Sequence, residues 1–197
     1  MTPVIAGLLF AAFMMGSVPF GLIFCKAQGI DPRKVGSGNI GATNVLRAAG
    51  KRTAVLTLVF DILKGSASVF LGQKMGVEPV YIGVMGLAAV AGHNFSPFLM
   101  FRGGKGVATS VGVILLYVPM AGLITVVLWL FTVIVSRISA LGALVSFTLL
   151  PLVVYILGYG WENVIISAII SVLLIIRHHS NIAKLINGNE RRVGEKK

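Results

Sequence analysis

The 197 residues are 56% hydrophobic and only 12% charged, whereas soluble domains run near ~25% charged and ~45–50% apolar. Lysine and arginine number 17 against 6 acidic residues, for a formal net charge of +11. Residues 1–25, 79–101, 106–136 and 138–161 carry no Asp, Glu, Lys or Arg, and a transmembrane helix needs roughly 20 mostly apolar residues. The chain therefore reads as an all-α polytopic membrane protein. A secreted or nucleic-acid-binding globule is excluded.

In chain order the predicted spans are about 3–25, 53–73, 79–98, 106–118, 119–136, 139–158 and 161–177. The first is too long for a signal-peptide core and lacks a basic leader, so it reads as a true span. Cys25, the single cysteine, can form neither an internal disulfide nor a metal cluster and reads as a buried apolar residue. The second span carries Asp61 and Lys64 on one helical face, where charge at membrane depth is costly and is paired or functional. A structural ion pair and a place beside the substrate path are both open readings. The stretch 106–136 would make a helix of about 46 Å at ~1.5 Å per residue, against a hydrocarbon core of ~30 Å. Pro119 near its centre breaks or kinks it.

Charge decides the count. Lysine and arginine collect on the cytoplasmic side of short loops. Seven transmembrane helices with the N-terminus outside and the C-terminus cytoplasmic place every lysine and arginine inside except Lys74 and Lys64; the inside set includes Lys196 and Lys197. Treating 106–136 as one crossing would send Arg137 and the basic tail outside. Seven spans is the expectation, with 106–118 a short span or half-helix. The halves share no repeat, so 1–197 reads as one integral-membrane domain.

The unusual polar sequence falls in three cytoplasmic stretches. Gly36-Ser37-Gly38-Asn39-Ile40-Gly41-Ala42-Thr43-Asn44-Val45-Leu46-Arg47 contains a formal G-x-G-x-x-G. A dinucleotide fingerprint needs a preceding strand and a βαβ unit, which a helical membrane chain does not supply. What survives is an anion site: glycines let backbone N–H groups converge, and a following helix N-terminus adds positive potential. Ser37, Asn39, Thr43 and Asn44 add neutral donors, and Arg47 can clamp phosphate. A flexible turn-rich linker is the plainer alternative, but it does not require those side chains.

The second stretch runs from Gly92-His93-Asn94-Phe95-Ser96-Pro97-Phe98 through Arg102-Gly103-Gly104-Lys105-Gly106-Val107-Ala108-Thr109. Gly103 to Gly106 ahead of an apolar helix again suggests an anion cradle with Lys105 as a point charge. It is not a Walker loop, because Leu99 and Gly106 stand where a glycine and a Ser or Thr belong. Phe95, Phe98 and Phe101 suit an interfacial aromatic belt. His93 is equally well a satisfied interfacial group. The third stretch, His178-His179-Ser180-Asn181-Ile182-Ala183-Lys184-Leu185-Ile186-Asn187-Gly188-Asn189-Glu190, predicts a short surface helix with His178 and Asn181 on one face and Gly188 as its C-cap. An ordinary basic juxtamembrane tail accounts for the lysines and arginines but not for His178 or Asn181. On the cytoplasmic side the acidic residues are Asp31, Glu190 and Glu195, not clustered, which argues against a metal site.

Together the three stretches resemble the motifs of the bacterial membrane acyl-phosphate:glycerol-3-phosphate acyltransferases, the PlsY type. The resemblance spans essentially the whole chain, with one small departure at Arg102, where lysine is also common. It implies seven spans in the bacterial inner membrane, motifs facing the cytoplasm, and acyl transfer from acyl phosphate to glycerol 3-phosphate, giving lysophosphatidic acid and phosphate. No cofactor or metal is implied, since a mixed anhydride already carries a good leaving group. The partners are acyl phosphate, sn-glycerol 3-phosphate and the bilayer, and no nucleic acid. The first loop (Ser37, Gly38, Asn39, Gly41, Ala42, Thr43, Asn44) is then expected to hold the acyl-phosphate headgroup. Arg47, Lys105, His178 and Asn181 would bind glycerol 3-phosphate, with Gly103, Gly104, Gly106 and Thr109 completing the binding set. Asn39, Lys105 and His178 are the expected catalytic residues, and the base is either His178 or a phosphate oxygen of the donor. An H-x-x-x-x-D pattern is absent, Phe98 standing five residues after His93, so acyl-CoA should be a poor donor. A transporter of a phosphorylated metabolite is the rival reading, opposed by the lack of inverted repeats. A metal-dependent alcohol phosphotransferase would need clustered aspartates, and the chain has only Asp31 and Asp61.

Overall fold

The structure is a computed structural model that describes residues 2–193. Glu195, Lys196 and Lys197, which entered the charge reading, lie outside the described residues. Among the described residues there are nine α-helices and no strand: α1 (Pro3–Ser17), α2 (Phe20–Lys26), α3 (Ala42–Lys74), α4 (Pro79–Asn94), α5 (Val107–Tyr117), α6 (Pro119–Ser136), α7 (Ser139–Ile156), α8 (Trp161–Arg177) and α9 (His179–Ile186). The chain divides into two compact units, Met1–Val113 and Ile114–Lys197.

In the first unit the expected first span exists but is broken. Pro19 has no N–H and follows Val18 in extended conformation, so α1 stops at Ser17 and α2 restarts at Phe20. The freed carbonyls find side-chain donors: Ser96 Oγ donates to the Ser17 oxygen at 2.7 Å and Lys64 Nζ to the Val18 oxygen at 2.8 Å. The second span is longer than the expected 53–73. Helix α3 begins at Ala42, but Gly50 interrupts it with φ 81° and ψ 179°, which only glycine adopts without strain. A short helix, 42–49, thus carries the end of the first motif ahead of the apolar part.

Close helix packing follows from small residues. Gly16 of α1 lies against the Ala89 carbonyl of α4, and Gly92 of α4 against the Phe13 carbonyl of α1. A side chain at either position would collide with backbone, so the two helices meet at a distance that only glycine permits. Gly65 of α3 touches the Thr109 carbonyl and Gly112 of α5 touches the Ile62 carbonyl in the same way.

In the second unit α6, α7 and α8 pack in sequence around Phe147, Leu150, Ile170 and Leu174, all buried. Ser171 Oγ ties α8 to α7 through the Phe147 carbonyl at 2.6 Å. Helix α8 ends at Arg177, and α9 departs from it at 62°. Outward-facing Leu123, Val127, Leu130, Phe131 and Ile134 on α6 remain exposed, as suits a surface covered by lipid.

Five segments are long and apolar enough to cross a bilayer, and a sixth if α8 and α9 form one bent span. Helix α5 has 11 residues, about 16 Å at ~1.5 Å per residue, which is half of a ~30 Å core. Pro119 does split 106–136 as expected, with Val118 in a non-helical conformation between the pieces. The predicted segments 119–136, 139–158 and 161–177 match α6, α7 and α8 to within two residues.

Candidate active site

The first motif is organised by Asn44. Its carboxamide is buried in the first turn of α3 and turned back into the loop. Oδ1 accepts the Ser37 N–H at 2.9 Å, while Nδ2 donates to the carbonyls of Pro32, Val35 and Asn39 at 2.8, 3.0 and 2.8 Å. Its amide hydrogens go to loop carbonyls, two of which, those of Pro32 and Val35, also accept the backbone N–H groups of Val35 and Gly38. Gly36, at φ 61°, lets the loop close on that carboxamide, since a Cβ there would strike Asn44 Oδ1. Asn39 Oδ1 accepts the Gly41 N–H at 2.8 Å, so that amide too is taken within the loop. Gly41, the N-cap of α3, has no side chain with which to cap the helix. Ser37 and Gly38 are exposed, and Arg47 is partly buried with its Cδ beside Gly36. Upstream, the Arg33 guanidinium bonds Asp31 at 2.7 Å and holds that carboxyl below the usual carboxylate range.

The second motif is built differently from a phosphate cradle. The Gly103 and Gly104 N–H groups donate to the carbonyls of Asn94 and His93 at 3.1 and 3.0 Å, pinning the loop to the end of α4. Both glycines are required because a Cβ at 103 would meet the His93 carbonyl, and one at 104 the His93 ring. The glycines thus place Lys105, which is partly buried, and do not themselves point amides at a ligand. Gly106 turns at φ 84° against Asn94, and α5 starts at the next residue. Buried Leu22, Ile40 and Leu99 form one apolar cluster, which joins α2 and both motif loops.

Two residues that sequence reasoning passed over, Asn94 and Ser110, stand at this second loop beside Thr109 of the expected binding set. Asn94 is fully buried with no partner for either carboxamide atom, and Thr109 and Ser110 hydroxyls in the first turn of α5 are likewise buried without a partner. Asn94 is in the quoted stretch, and a buried-polar signal was available in its position on an otherwise apolar helix. His93 is buried and its Nδ1 lies 3.7 Å from Asp61 Oδ1, while Lys64 pairs with that same oxygen at 2.8 Å.

The third motif lies in the second unit. His178 closes α8 and opens α9, with its side chain buried. Its Nδ1 is 2.8 Å from the Leu174 oxygen. A carbonyl can only accept, so Nδ1 bears the hydrogen and the neutral ring carries its lone pair on Nε2. Asn181, also buried, donates to Glu190 Oε1 at 3.0 Å, folding the end of the motif back on its start. Glu190 was read only as the end of a motif, and the structure makes it the carboxylate that orients Asn181. Gly188 follows α9 at φ 68°, and the Asn189 N–H returns to the Lys184 carbonyl at 2.8 Å, the helix stop expected there.

Apolar helices broken by proline and glycine, with polar loops fastened at the breaks, define an integral membrane protein. A family model described as glycerol-3-phosphate acyltransferase matches residues 6–188, and the chain belongs to that family. It is 44% identical over 194 residues to the glycerol-3-phosphate acyltransferase of Dechloromonas aromatica, covering 98% of each chain. Against that of Thioalkalivibrio sulfidiphilus it is 43% identical, covering 97% of this chain and 95% of the relative. The fold is similar to crystal structures of PlsY, an integral membrane glycerol 3-phosphate acyltransferase. The glycerol 3-phosphate form gives a TM-score of 0.92 at 36% identity, over 97% of this chain and 96% of that one. The lysophosphatidic acid form gives 0.90 at 35% identity, over 96% and 95%.

Proposed function

We propose that this chain moves a fatty acyl group from acyl phosphate to a hydroxyl of sn-glycerol 3-phosphate, giving lysophosphatidic acid and phosphate. The observation that carries the reading is the agreement of the family match over residues 6–188 with structural neighbours solved in glycerol 3-phosphate and lysophosphatidic acid forms. Those two molecules are the acceptor and the product of one acylation.

In this reading the 1–197 chain is a single acyltransferase domain with seven spans, α5 being the short one, in the bacterial inner membrane. The N-terminus lies outside, and the C-terminus and the loops face the cytoplasm, as the lysine and arginine distribution supports. Ser37, Gly38, Asn39, Ala42 and Thr43 bind the acyl-phosphate headgroup, with Gly41 and Asn44 holding the loop in shape. Arg47, Lys105, His178 and Asn181 bind glycerol 3-phosphate, and Gly103, Gly104, Gly106 and Thr109 set the position of Lys105.

The chemistry asks mainly for placement and charge stabilisation. The acceptor hydroxyl oxygen forms a bond to the acyl carbon, and its proton passes to His178 Nε2 or to a phosphate oxygen of the donor. The carbonyl oxyanion is met by loop N–H groups and the Asn39 amide. The bond from acyl carbon to phosphate oxygen then breaks, and phosphate leaves. The Nδ1–Leu174 contact favours the tautomer in which Nε2 can take the proton. Incubating the purified protein in detergent with acyl phosphate and labelled glycerol 3-phosphate should give labelled lysophosphatidic acid. No labelled lipid product would overturn the reading.

A further inference from the structure

The buried ion pair of α3 takes part in none of the steps above. Asp61 and Lys64 are 3% and 6% exposed and lie 2.8 Å apart. Lys64 has a second partner, the Val18 carbonyl at 2.8 Å, and Phe20 beneath it with its ring centre at 5.8 Å. The lysine thus serves the break in the first span. The Asp61 oxygen that pairs with Lys64 also lies 3.7 Å from His93 Nδ1, on α4. The opposite edge of that imidazole rests on the second motif loop, because Nε2 occupies the space a Cβ of Gly104 would need. The His93 carbonyl also accepts the Gly104 N–H at 3.0 Å. The ring lies between the Asp61 carboxylate and Gly104, the residue directly preceding Lys105.

We propose that Asp61 is a positioning residue for Lys105, acting through His93, so that a charge pair inside the helix bundle sets where the phosphate-binding ammonium stands. This rests on the reading of Lys105 as a glycerol 3-phosphate ligand. A lysine that binds the acceptor phosphate alike in ground and transition states contributes chiefly to KM, so its displacement raises KM and leaves kcat nearly unchanged. An ion pair that only held the fold together would lower thermal stability and leave the KM for glycerol 3-phosphate where it was.

The test uses full-length protein in detergent. His93→Phe fills the ring's volume and leaves the Asp61–Lys64 pair intact; Asp61→Asn removes the charge facing the ring. Each is expected to raise the KM for glycerol 3-phosphate about tenfold, with kcat within about twofold and the KM for acyl phosphate unchanged. The double variant should be no worse than His93→Phe alone, since both act along one path. Where Asp61→Asn fails to fold, because it leaves Lys64 buried without its counter-ion, His93→Phe and His93→Gln carry the test. Calorimetric binding of glycerol 3-phosphate to the same proteins separates the two levels. Wild-type binding without turnover overturns the acyltransfer reading alone, and wild-type binding with unchanged affinity in the His93 variants overturns the positioning role alone. An additive double variant, or both KM values rising together, also overturns it.

Discussion

Asn44 turns its carboxamide to the backbone of residues 32–39, so its removal takes four hydrogen bonds from that loop at once. Asn44→Ala should cost about 2 kcal/mol, read as a lowered Tm, and should raise the KM for acyl phosphate more than that for glycerol 3-phosphate. An unchanged donor KM would separate this loop from the donor site. Gly36→Ala meets the same carboxamide and adds the left-handed penalty of about 1–2 kcal/mol, so it should reproduce the Asn44→Ala kinetics. The residue scale also holds the two substrate-facing tests. Lys105→Ala should raise the glycerol 3-phosphate requirement or abolish turnover, and unchanged kinetics would remove it from the site. His178→Ala should lower turnover at saturating substrate; normal turnover there would pass the proton to the donor phosphate. Local structure was legible in the sequence where its signal is local, as with Gly188 after α9. The sequence was silent where a donor's partner lies several residues away, since nothing in the string distinguishes an Asn that staples a loop from one that offers its amide to a ligand.

At the scale of elements, proline and glycine mark the joints. Pro119 was legible as a break and the charge-free runs as spans, because both signals are local. The interruption of the first span at Pro19 was not anticipated, since an apolar run is unbroken across it and only the side chains of Ser96 and Lys64, distant in sequence, make the break tolerable in lipid. The helix at 42–49 went unseen for a similar reason: it lies before Gly50 in a stretch whose charges, Arg47, Lys51 and Arg52, read as loop. The α1–α4 contact gives a sharp test. Gly92→Val would drive a Cβ bearing two methyl groups into the Phe13 carbonyl, and neither backbone can retreat without separating the helices. Overpacking of this kind costs about 1–3 kcal/mol or more, expected as loss of monodisperse protein on size-exclusion chromatography; a wild-type profile would contradict the close approach.

For the whole molecule, the lysine and arginine distribution supports one orientation in the bilayer. With Cys25 replaced by Ser, a cysteine at Lys74 should react with a membrane-impermeant reagent on intact cells, and one at Lys34 only after lysis. The reverse pattern would invert the topology. The net +11 then divides by role. In the proposed orientation most of the excess lies on the cytoplasmic side, and Lys64 with Asp61 is buried. Arg47 and Lys105 are the cations assigned to substrate phosphate. In the proposed reading the activation of the acyl chain arrives with the donor.

Donor chemistry is therefore the most direct test. Purified protein in excess EDTA, given acyl phosphate or acyl-CoA with glycerol 3-phosphate, should form lysophosphatidic acid and phosphate in equal amounts from acyl phosphate and little product from acyl-CoA. Strict dependence on added metal, or acyl-CoA serving equally well, would contradict the account.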